Sequence, residues 1–340
     1  MAAGRSHRPG PLRRARRPTR PTHPGHPRPA GECVIEVLRA GALTTVQDQG
    51  RPGWAHLGVP RSGALDPAAL RLANRLVGNP EHAAGLEITL TGCVLRFGRA
   101  VTVALTGAAV DVLVERRLAE ASPGGRPAGR RPPDASSGVE RRPGDTGRPL
   151  SLPAGATLHI GPAHTGVRSW LAVSGGIAVA PVLGSRATDT LSGLGPPPLR
   201  DGDRLPLGVT TGPPAPVDLT VAPAVPAGLR LTLRPGPRQD WFTPAALDLL
   251  LRTAYAISPA SNRVGARLVG AALPRAVAGE LPSEGLVLGA VQVPPDGQPL
   301  IFLADHPTTG GYPVIGVVED VTPLAQARPA TTVTFHGPQR

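Results

Sequence analysis

Apolar positions recur with a period of two along most of the chain, the spacing of strands that bury one face. In the first half the β-branched runs are VIEVL (34–38), EITL (87–90), VTVALTG (101–107), VDVLV (110–114), TLHI (157–160) and VRSWLAV (167–173). In the second half they are VDLTV (217–221), LRLTL (229–233), PLIFLA (299–304), PVIGVV (313–318) and TTVTF (331–335). Gly- and Pro-rich turns separate them, which predicts largely antiparallel sheets or barrels. Two stretches switch to the helical period. Asp66-Pro67 and Thr243-Pro244 each place a capping side chain before a proline at the first helical position. Behind the first, Ala69, Leu72, Ala73 and Leu76 form an i, i+3, i+4, i+7 stripe with Gly78 as a stop. Behind the second, Ala246, Leu247, Leu250 and Leu251 face a core. The expected fold class is mainly β, with two β-rich domains and two short helices.

Three stretches show neither period. Residues 1–31 hold Arg, Pro, His and Gly and bury no core, so a disordered basic tail is expected there. Residues 116–148 read as a disordered insert, and GVTTGPPAP (208–216) as a linker. The two domains are thus expected at 32–207 and 217–336, each long enough for its own core. Gly and Pro number 43 each, about a quarter of the chain. They are spread among strand-like segments, which makes them turn residues.

Charge changes the picture less than its total suggests. A net +12 would point to nucleic acid if it covered a folded face. Residues 1–31 carry eight arginines and no acid, and residues 116–148 carry eight against four. The remainder has 20 of each sign, so the body is neutral and no specific nucleic-acid partner is expected. Cys33 and Cys93 supply neither a disulfide framework nor metal-ligand spacing, and no metal is expected. The Arg-rich start has no apolar core of a secretory signal behind it. No apolar run approaches the roughly 20 residues that span a bilayer. A cytoplasmic protein without a membrane partner is the expectation.

All 36 basic residues are arginine. Without lysine there is no phosphate loop of the Walker type, no Schiff-base amine and no attachment point for biotin. ATP or biotin chemistry would have to come from another chain. The sequence also has no G-x-S-x-G, H-E-x-x-H or C-x-x-C. It offers instead five polar loops punctuated by glycine. TVQDQGRPGWAHLGVPRSGALD (45–66) carries Gln47, Asp48 and Arg51, and SGGIAVAPVLGSR (174–186) carries Arg186. In SNRVGARLVG (261–270), Arg263 and Arg267 stand four apart, a spacing that could clamp a carboxylate or phosphate. SEGLVLGAVQVPPDGQP (283–299) holds Glu284 and Gln292, and LADHPTTGGYPVIG (303–316) holds Asp305, Thr309, Gly310, Gly311 and Tyr312. Each loop alone reads better as a turn braced by its own side chains.

Taken in order, TTVQDQGRPGW…GVPRSGALD…AN, SGGI…GSRATDTL, SNRVGARL, SEG…GAVQVPPDGQP and HPTTGGYP resemble the biotin-dependent carboxyltransferase family. That family includes allophanate hydrolase subunit 2, the C subunit of prokaryotic 5-oxoprolinase and the antagonist of a sporulation-kinase inhibitor. The likeness runs from about residue 34 to 336, interrupted by 116–148. It implies a cyclophilin-like barrel in the C-terminal half and a companion chain of the subunit-1 or B type that shares the cleft. In the 5-oxoprolinase branch it implies a further A-type chain, with ATP spent by the complex to open 5-oxo-L-proline to L-glutamate. In the urea branch a similar module moves a carboxyl group from biotin carried elsewhere; a third possibility is a non-catalytic module that sequesters a kinase inhibitor. The family motifs fall on Gln47, Asp48, Arg51, Ser62, Asp66, Asn74, Arg186, Arg263, Arg267, Glu284, Gln292, Thr309, Gly310, Gly311 and Tyr312. Asn262, Ala187 and His306-Pro307 depart from them. The resulting expectation is a subunit of an ATP-dependent 5-oxoproline hydrolase, active only with its partners. Asp305, Glu284, Thr309 and Tyr312 would be catalytic, and Gln47, Asp48, Arg51, Arg186, Arg263, Arg267, Gln292, Gly310 and Gly311 would bind substrate. The backbone N–H groups of Gly310 and Gly311 would form a nest for a developing oxyanion, with Asp305 orienting a donor or taking a proton.

Overall fold

Alternating apolar residues pair into ladders wherever a second strand covers their polar backbone. In the computed structural model, which describes residues 34–117, 139–213, 227–279 and 281–338, they do so twice. The first half supplies β1 (Val34–Arg39), β2 (Leu43–Gln47), helix α1 (Pro67–Leu76), β3 (Gly85–Thr89), β4 (Cys93–Phe97), β5 (Val101–Arg117), β6 (Val139–Gly144), β7 (Leu150–Leu152), β8 (Thr157–Val173) and β9 (Arg204–Pro206). The path β2-β3-β8-β4-β1-β9 makes one sheet, and β5 joins it through β8 while pairing with β6 and β7. Ile35, Leu86, Leu95, Phe97, Leu158 and Leu171 fill its concave side.

The second half supplies β10 (Gly228–Pro235), helix α2 (Pro244–Arg252), β11 (Tyr255–Ile257), β12 (Gly265–Val269), β13 (Glu284–Gly285), β14 (Ala290–Gln292), β15 (Leu300–Phe302), β16 (Thr309–Gly310), β17 (Val314–Val318) and β18 (Thr332–His336). Seven of these close a barrel in the order β10-β17-β14-β15-β12-β11-β18, sealed by the parallel pairing of β10 with β18. The expected mainly β fold, with a barrel in the C-terminal half and two helices, is what the chain adopts. Ala64, Leu65, Leu70 and Trp170 from the first half share an apolar cluster with Leu231, Val291, Ile301 and Phe335 of the barrel. Residues Glu32–Arg340 accordingly form one compact unit.

Several expectations change at the level of elements. VTVALTG and VDVLV are one strand, β5, and TLHI and VRSWLAV are likewise one, β8. Gly107 carries the first of these through at φ 96°, where an added Cβ would lie 2.7 Å from the Trp170 ring. Both ends of the expected disordered insert, 116–148, are ordered: β5 runs on to Arg117. Val139–Gly144 is a strand whose partners are Val112–Arg117. Exposed on both faces, it has no burial pattern for periodicity to detect. Residues 118–138 of that insert, the 1–31 tail, the end of the 208–216 linker and the VDLTV run lie outside the described residues. Asp66 caps α1 as expected, its carboxylate accepting from Ala69 N at 2.9 Å. Thr243 does not cap α2. Its hydroxyl has no partner among the described residues, and Pro244 with the Ala246 N–H to Thr243 carbonyl bond starts the helix without it. Among the described residues, no helix is long and apolar enough to cross a membrane.

Candidate functional site

A buried guanidinium needs acceptors on every side. Arg263, just before β12, is 1% exposed and finds them in both halves of the molecule. Its Nε and Nη2 each lie 2.9 Å from an oxygen of Asp305, a bidentate pair. Nη1 donates to Glu87 Oε1 at 2.6 Å, and Nη2 to the Gly63 carbonyl at 2.6 Å. Glu87, on β3, accepts with its other oxygen from Leu65 N (2.9 Å) and Trp170 Nε1 (3.1 Å). Arg168 on β8 completes the group, its Nε 3.5 Å from Glu87. Burial alone would lower the Arg263 pKa, but the charges of Glu87 and Asp305 outweigh it and raise it.

Asp305 accepts from five donors. Besides the two from Arg263, they are Ser62 Oγ (2.7 Å), Thr190 N (3.0 Å) and Thr190 Oγ1 (2.7 Å). Burial pushes its carboxyl up, yet the Arg263 charge and these bonds prevail and hold it below its ordinary value. A carboxylate whose oxygens already accept five hydrogen bonds, two of them from a guanidinium, is a poor proton acceptor. The orienting role expected of Asp305 fits this geometry; the proton-taking role does not.

The first loop is folded tightly over this network. Ser62 adopts φ 53°, uncommon for a side chain with a Cβ, and is held by its N–H to the Ala304 carbonyl (3.0 Å) and its hydroxyl to Thr188 O (3.0 Å) and Asp305. Gly50 is required opposite it, since a Cβ there would meet Arg61 O at 2.6 Å and Ser62 O at 2.7 Å. Asp48 accepts from Gly50 N (2.8 Å), Ser185 Oγ (2.6 Å) and Arg186 N (2.6 Å). Gln47 Nε2 donates to Thr188 O (2.9 Å), and Arg51 donates to the carbonyls of Val182 and Ala187. Loops one and two are therefore one structure. The anion that meets Arg186 is Asp48, through the backbone; the Arg186 guanidinium donates from Nε to Val179 O at 2.8 Å.

Loops four and five pair as a two-stranded ribbon, β13 with β16, Glu284 opposite Gly310. Gln292 Nε2 braces it through the Tyr312 carbonyl at 3.0 Å. The expected nest at Gly310-Gly311 is not formed, because neither glycine takes a positive φ; a strand edge stands in its place. Gly310 serves close packing instead, as a Cβ would sit 2.7 Å from Leu286 Cδ1 and 2.9 Å from Gln292 Nε2. Glu284 pairs with Arg238, whose hydrogen bonds hold its carboxyl below the ordinary value. The Arg275 guanidinium stands 5.8 Å from the centre of the Tyr312 ring. Thr309 is exposed. Arg267 lies on the outer, exposed face of β12, so it and the buried Arg263 do not clamp one anion.

Where the first loop meets the barrel, a cleft of about 160 Å³ opens. Gln49, Arg61, Ser62, His306, Glu319 and Asp320 give it its polar lining. His306 Nδ1 is 2.7 Å from the Pro307 carbonyl. Leu288, three residues past β13, lines it, but Glu284, Gln292, Thr309, Gly310, Gly311 and Tyr312 do not. The order of motifs, the barrel and this shared cleft invite comparison with known proteins. The family model of the carboxyltransferase domain, subdomain A and B, matches residues 57–337. The chain belongs to that carboxyltransferase-domain family.

Among curated proteins, this carboxyltransferase domain is 39% identical over 301 residues to the C subunit of 5-oxoprolinase from Escherichia coli, covering 86% of this chain and 87% of that one. It is 30% identical to the C subunit of 5-oxoprolinase from Haemophilus influenzae, covering 89% and 90%. Against urea amidolyase of Lachancea kluyveri it is 30% identical, covering 89% of this chain but 17% of the other. Among solved structures, TTHA0988 superposes with a TM-score of 0.75 at 35% identity, over 91% of this chain and 57% of that one. The urea carboxylase of Kluyveromyces lactis gives 0.76 at 27% identity, over 91% and 28%. The chain thus spans little more than half of TTHA0988 and under a third of the urea carboxylase.

Sequence patterns do not single out Glu87, Arg168, Thr188, Thr190 and His306 of the carboxyltransferase domain as site residues. Glu87 leaves a signal, an acid in the middle of the apolar run GLEIT whose every neighbour in the strand is buried or half-buried. An uninterrupted buried strand with one carboxylate in it requires a cation from elsewhere. The two threonines lie in the GSRATDTL motif but leave no mark in the hydrophobic pattern, and no role falls on them from the motif alone.

Proposed function

We propose that this chain is the C-type subunit of a 5-oxoprolinase, which with B-type and A-type companions opens 5-oxo-L-proline to L-glutamate at the expense of ATP. The observation that carries this reading is the near end-to-end match to the C subunit of Escherichia coli 5-oxoprolinase. The urea amidolyases match one small part of much longer chains. Opening a lactam requires the carbonyl to be polarised and the leaving nitrogen to gain a proton. Arg61, His306, Glu319 and Asp320 all line the cleft, groups able to hold a carboxylate or to exchange a proton. Ser62, itself in the lining, is held by Asp305, and Asp305 by Arg263. Glu284 and Thr309 on the ribbon, and Tyr312 just after it, do not line this cleft; in this reading they serve a substrate or companion that extends past it. Because the chain has no lysine, phosphate binding is assigned to a companion.

Exposed apolar side chains support a companion chain at this rim. Leu57 (61% exposed) and Val287 (55%) flank the ribbon and first loop, and Leu191 (49%) follows Thr190, a partner of Asp305. The test is to purify the chain alone and with its A- and B-type companions and to follow 5-oxoproline-dependent ATP cleavage. Turnover by the assembly and silence of the single chain are expected; turnover by the single chain would refute the subunit reading. A biotin-dependent carboxyl transfer is the second reading, favoured by the fit to the Kluyveromyces lactis urea carboxylase. Dependence of the assembly on a biotin-carrying chain would select it.

A further inference from the structure

Three polar atoms beneath loops one and two have no partner among the described residues. Gln47 Oε1, Arg51 Nη1 and Thr188 Oγ1 are all buried, and each lacks a hydrogen bond. They belong together, because Gln47 Nε2 donates to the Thr188 carbonyl and Arg51 Nη2 donates to the adjacent carbonyl of Ala187. The amide of Gln47 is oriented by its neighbours. A carbonyl only accepts, so the nitrogen faces Thr188 O, and Thr45 Oγ1 lies 3.1 Å from the same nitrogen. Its oxygen is therefore the free atom, an acceptor that asks for a donor.

The charge at this place is also unmet. Arg51 is 1% exposed, as Arg263 is, yet Arg263 has two carboxylates and Arg51 has none within 4.0 Å among the described residues. Asp48 is near in sequence, but its oxygens are taken by Gly50 N, Ser185 Oγ and Arg186 N. Water could satisfy the hydroxyl and the amide; it would not neutralise a buried guanidinium. We propose that Gln47, Arg51 and Thr188 form a subsite for a small carboxylate that carries its own O–H or N–H donor. Arg51 Nη1 would donate to the carboxylate, Gln47 Oε1 would accept from the ligand's donor, and Thr188 Oγ1 would complete either contact. The turn at 189–195 covers the place. Gly195 (φ 81°) rests directly on Arg51, for a Cβ would lie 3.2 Å from Nη2 and 2.1 Å from Ala187 O. Asp189 knits the turn internally by accepting from Leu191 N, Ser192 N and Ser192 Oγ, and Thr190 ties it to Asp305 through its N–H and hydroxyl, so a ligand enters only where those two outward bonds give way.

5-Oxo-L-proline, a carboxylate beside a ring N–H, belongs to this chemical class, so the inference deepens the proposed function and rests on it only for that ligand. Its test needs neither the companions nor 5-oxoproline. Thermal unfolding of the full chain is followed with glycolate, acetate and glycolamide at matched ionic strength against chloride. Glycolate should raise Tm saturably, by about 5 °C at a hundredfold excess over its Kd. Acetate, which lacks the hydroxyl, should bind about tenfold more weakly, and glycolamide, which lacks the charge, should give no shift. Arg51→Met should abolish the glycolate response. In Gln47→Leu, which keeps the guanidinium, glycolate and acetate should become equivalent. If both variants fail to fold, the wild-type series alone decides. Equal shifts with all three ligands, no saturable shift with any, or an unaltered response in a folded Arg51→Met protein would overturn the proposal. Glycolate binding without turnover by the assembly would remove the reaction assignment and leave the subsite; turnover without glycolate binding would do the reverse.

Discussion

Replacing Asp305 with Asn removes one charge and almost no volume, but it leaves Arg263 buried with half its compensation. Breaking a buried pair from one side ordinarily costs about 3–5 kcal/mol. Asp305→Asn should lose that much in urea unfolding at pH 7, and a loss below about 1 kcal/mol would show that Glu87 alone suffices. The sign of the pH dependence follows from the same geometry. Because the folded carboxyl lies below its ordinary value, its contribution is present above that value and is lost as pH falls through the lower, folded one. Asp305→Asn should therefore flatten the acid limb of the stability curve. Arg263 and Asp305 are legible in the sequence as chemistry-bearing residues. Their use as a pair is not, since Arg263 reaches 42 residues along the chain to Asp305 and 176 to Glu87, distances on which local pattern is silent.

At the scale of elements, α1 and α2 start with the same kind of sequence and are secured differently. Asp66 bonds the Ala69 amide, while the Thr243 hydroxyl is buried and unpartnered among the described residues. Asp66→Ala should cost about 1 kcal/mol of stability. Thr243→Val, which replaces an unsatisfied hydroxyl with a methyl of similar size, should be neutral or slightly stabilising. Chemical denaturation of the two variants side by side checks both; equal losses would mean that Thr243 caps in solution. The strands that the alternating pattern reveals are those with a buried face, such as β1, β10 and β18. Those it does not reveal fail for physical reasons. β2 carries the buried polar residues Thr44, Thr45 and Gln47, β12 opens on Gly265 packed against Leu300, and β6 is exposed on both sides and held by its ladder.

For the whole molecule, Glu87 is where the sheet and the barrel share charge. It takes the Trp170 indole from the sheet and Arg263 from the barrel. Trp170 sits on β8 but in the apolar cluster shared with the barrel, so the two halves are read separately by amide exchange, β2 and β4 for the sheet and β14 and β17 for the barrel. Their urea transitions should coincide in the native chain. With Glu87→Gln the midpoint should fall and the two transitions should part, because the bond that makes one half's unfolding costly to the other is weakened. Coincident transitions at an unchanged midpoint would show that the apolar cluster alone couples them.

The parallel pairing of β10 with β18 has a consequence for how this module can be wired into longer polypeptides. Gly228 lies beside Thr332, and Thr232 beside His336, so the chain enters the barrel at one mouth and leaves at the other. The five-residue ladder separates the two points by about 16 Å. A polypeptide grafted after the last strand therefore departs from the far mouth, away from the one that receives the sheet half. Circular permutation of the barrel would require a bridge of about five residues at full stretch along its outer wall. A tight turn, sufficient for an antiparallel seam, could not make that junction.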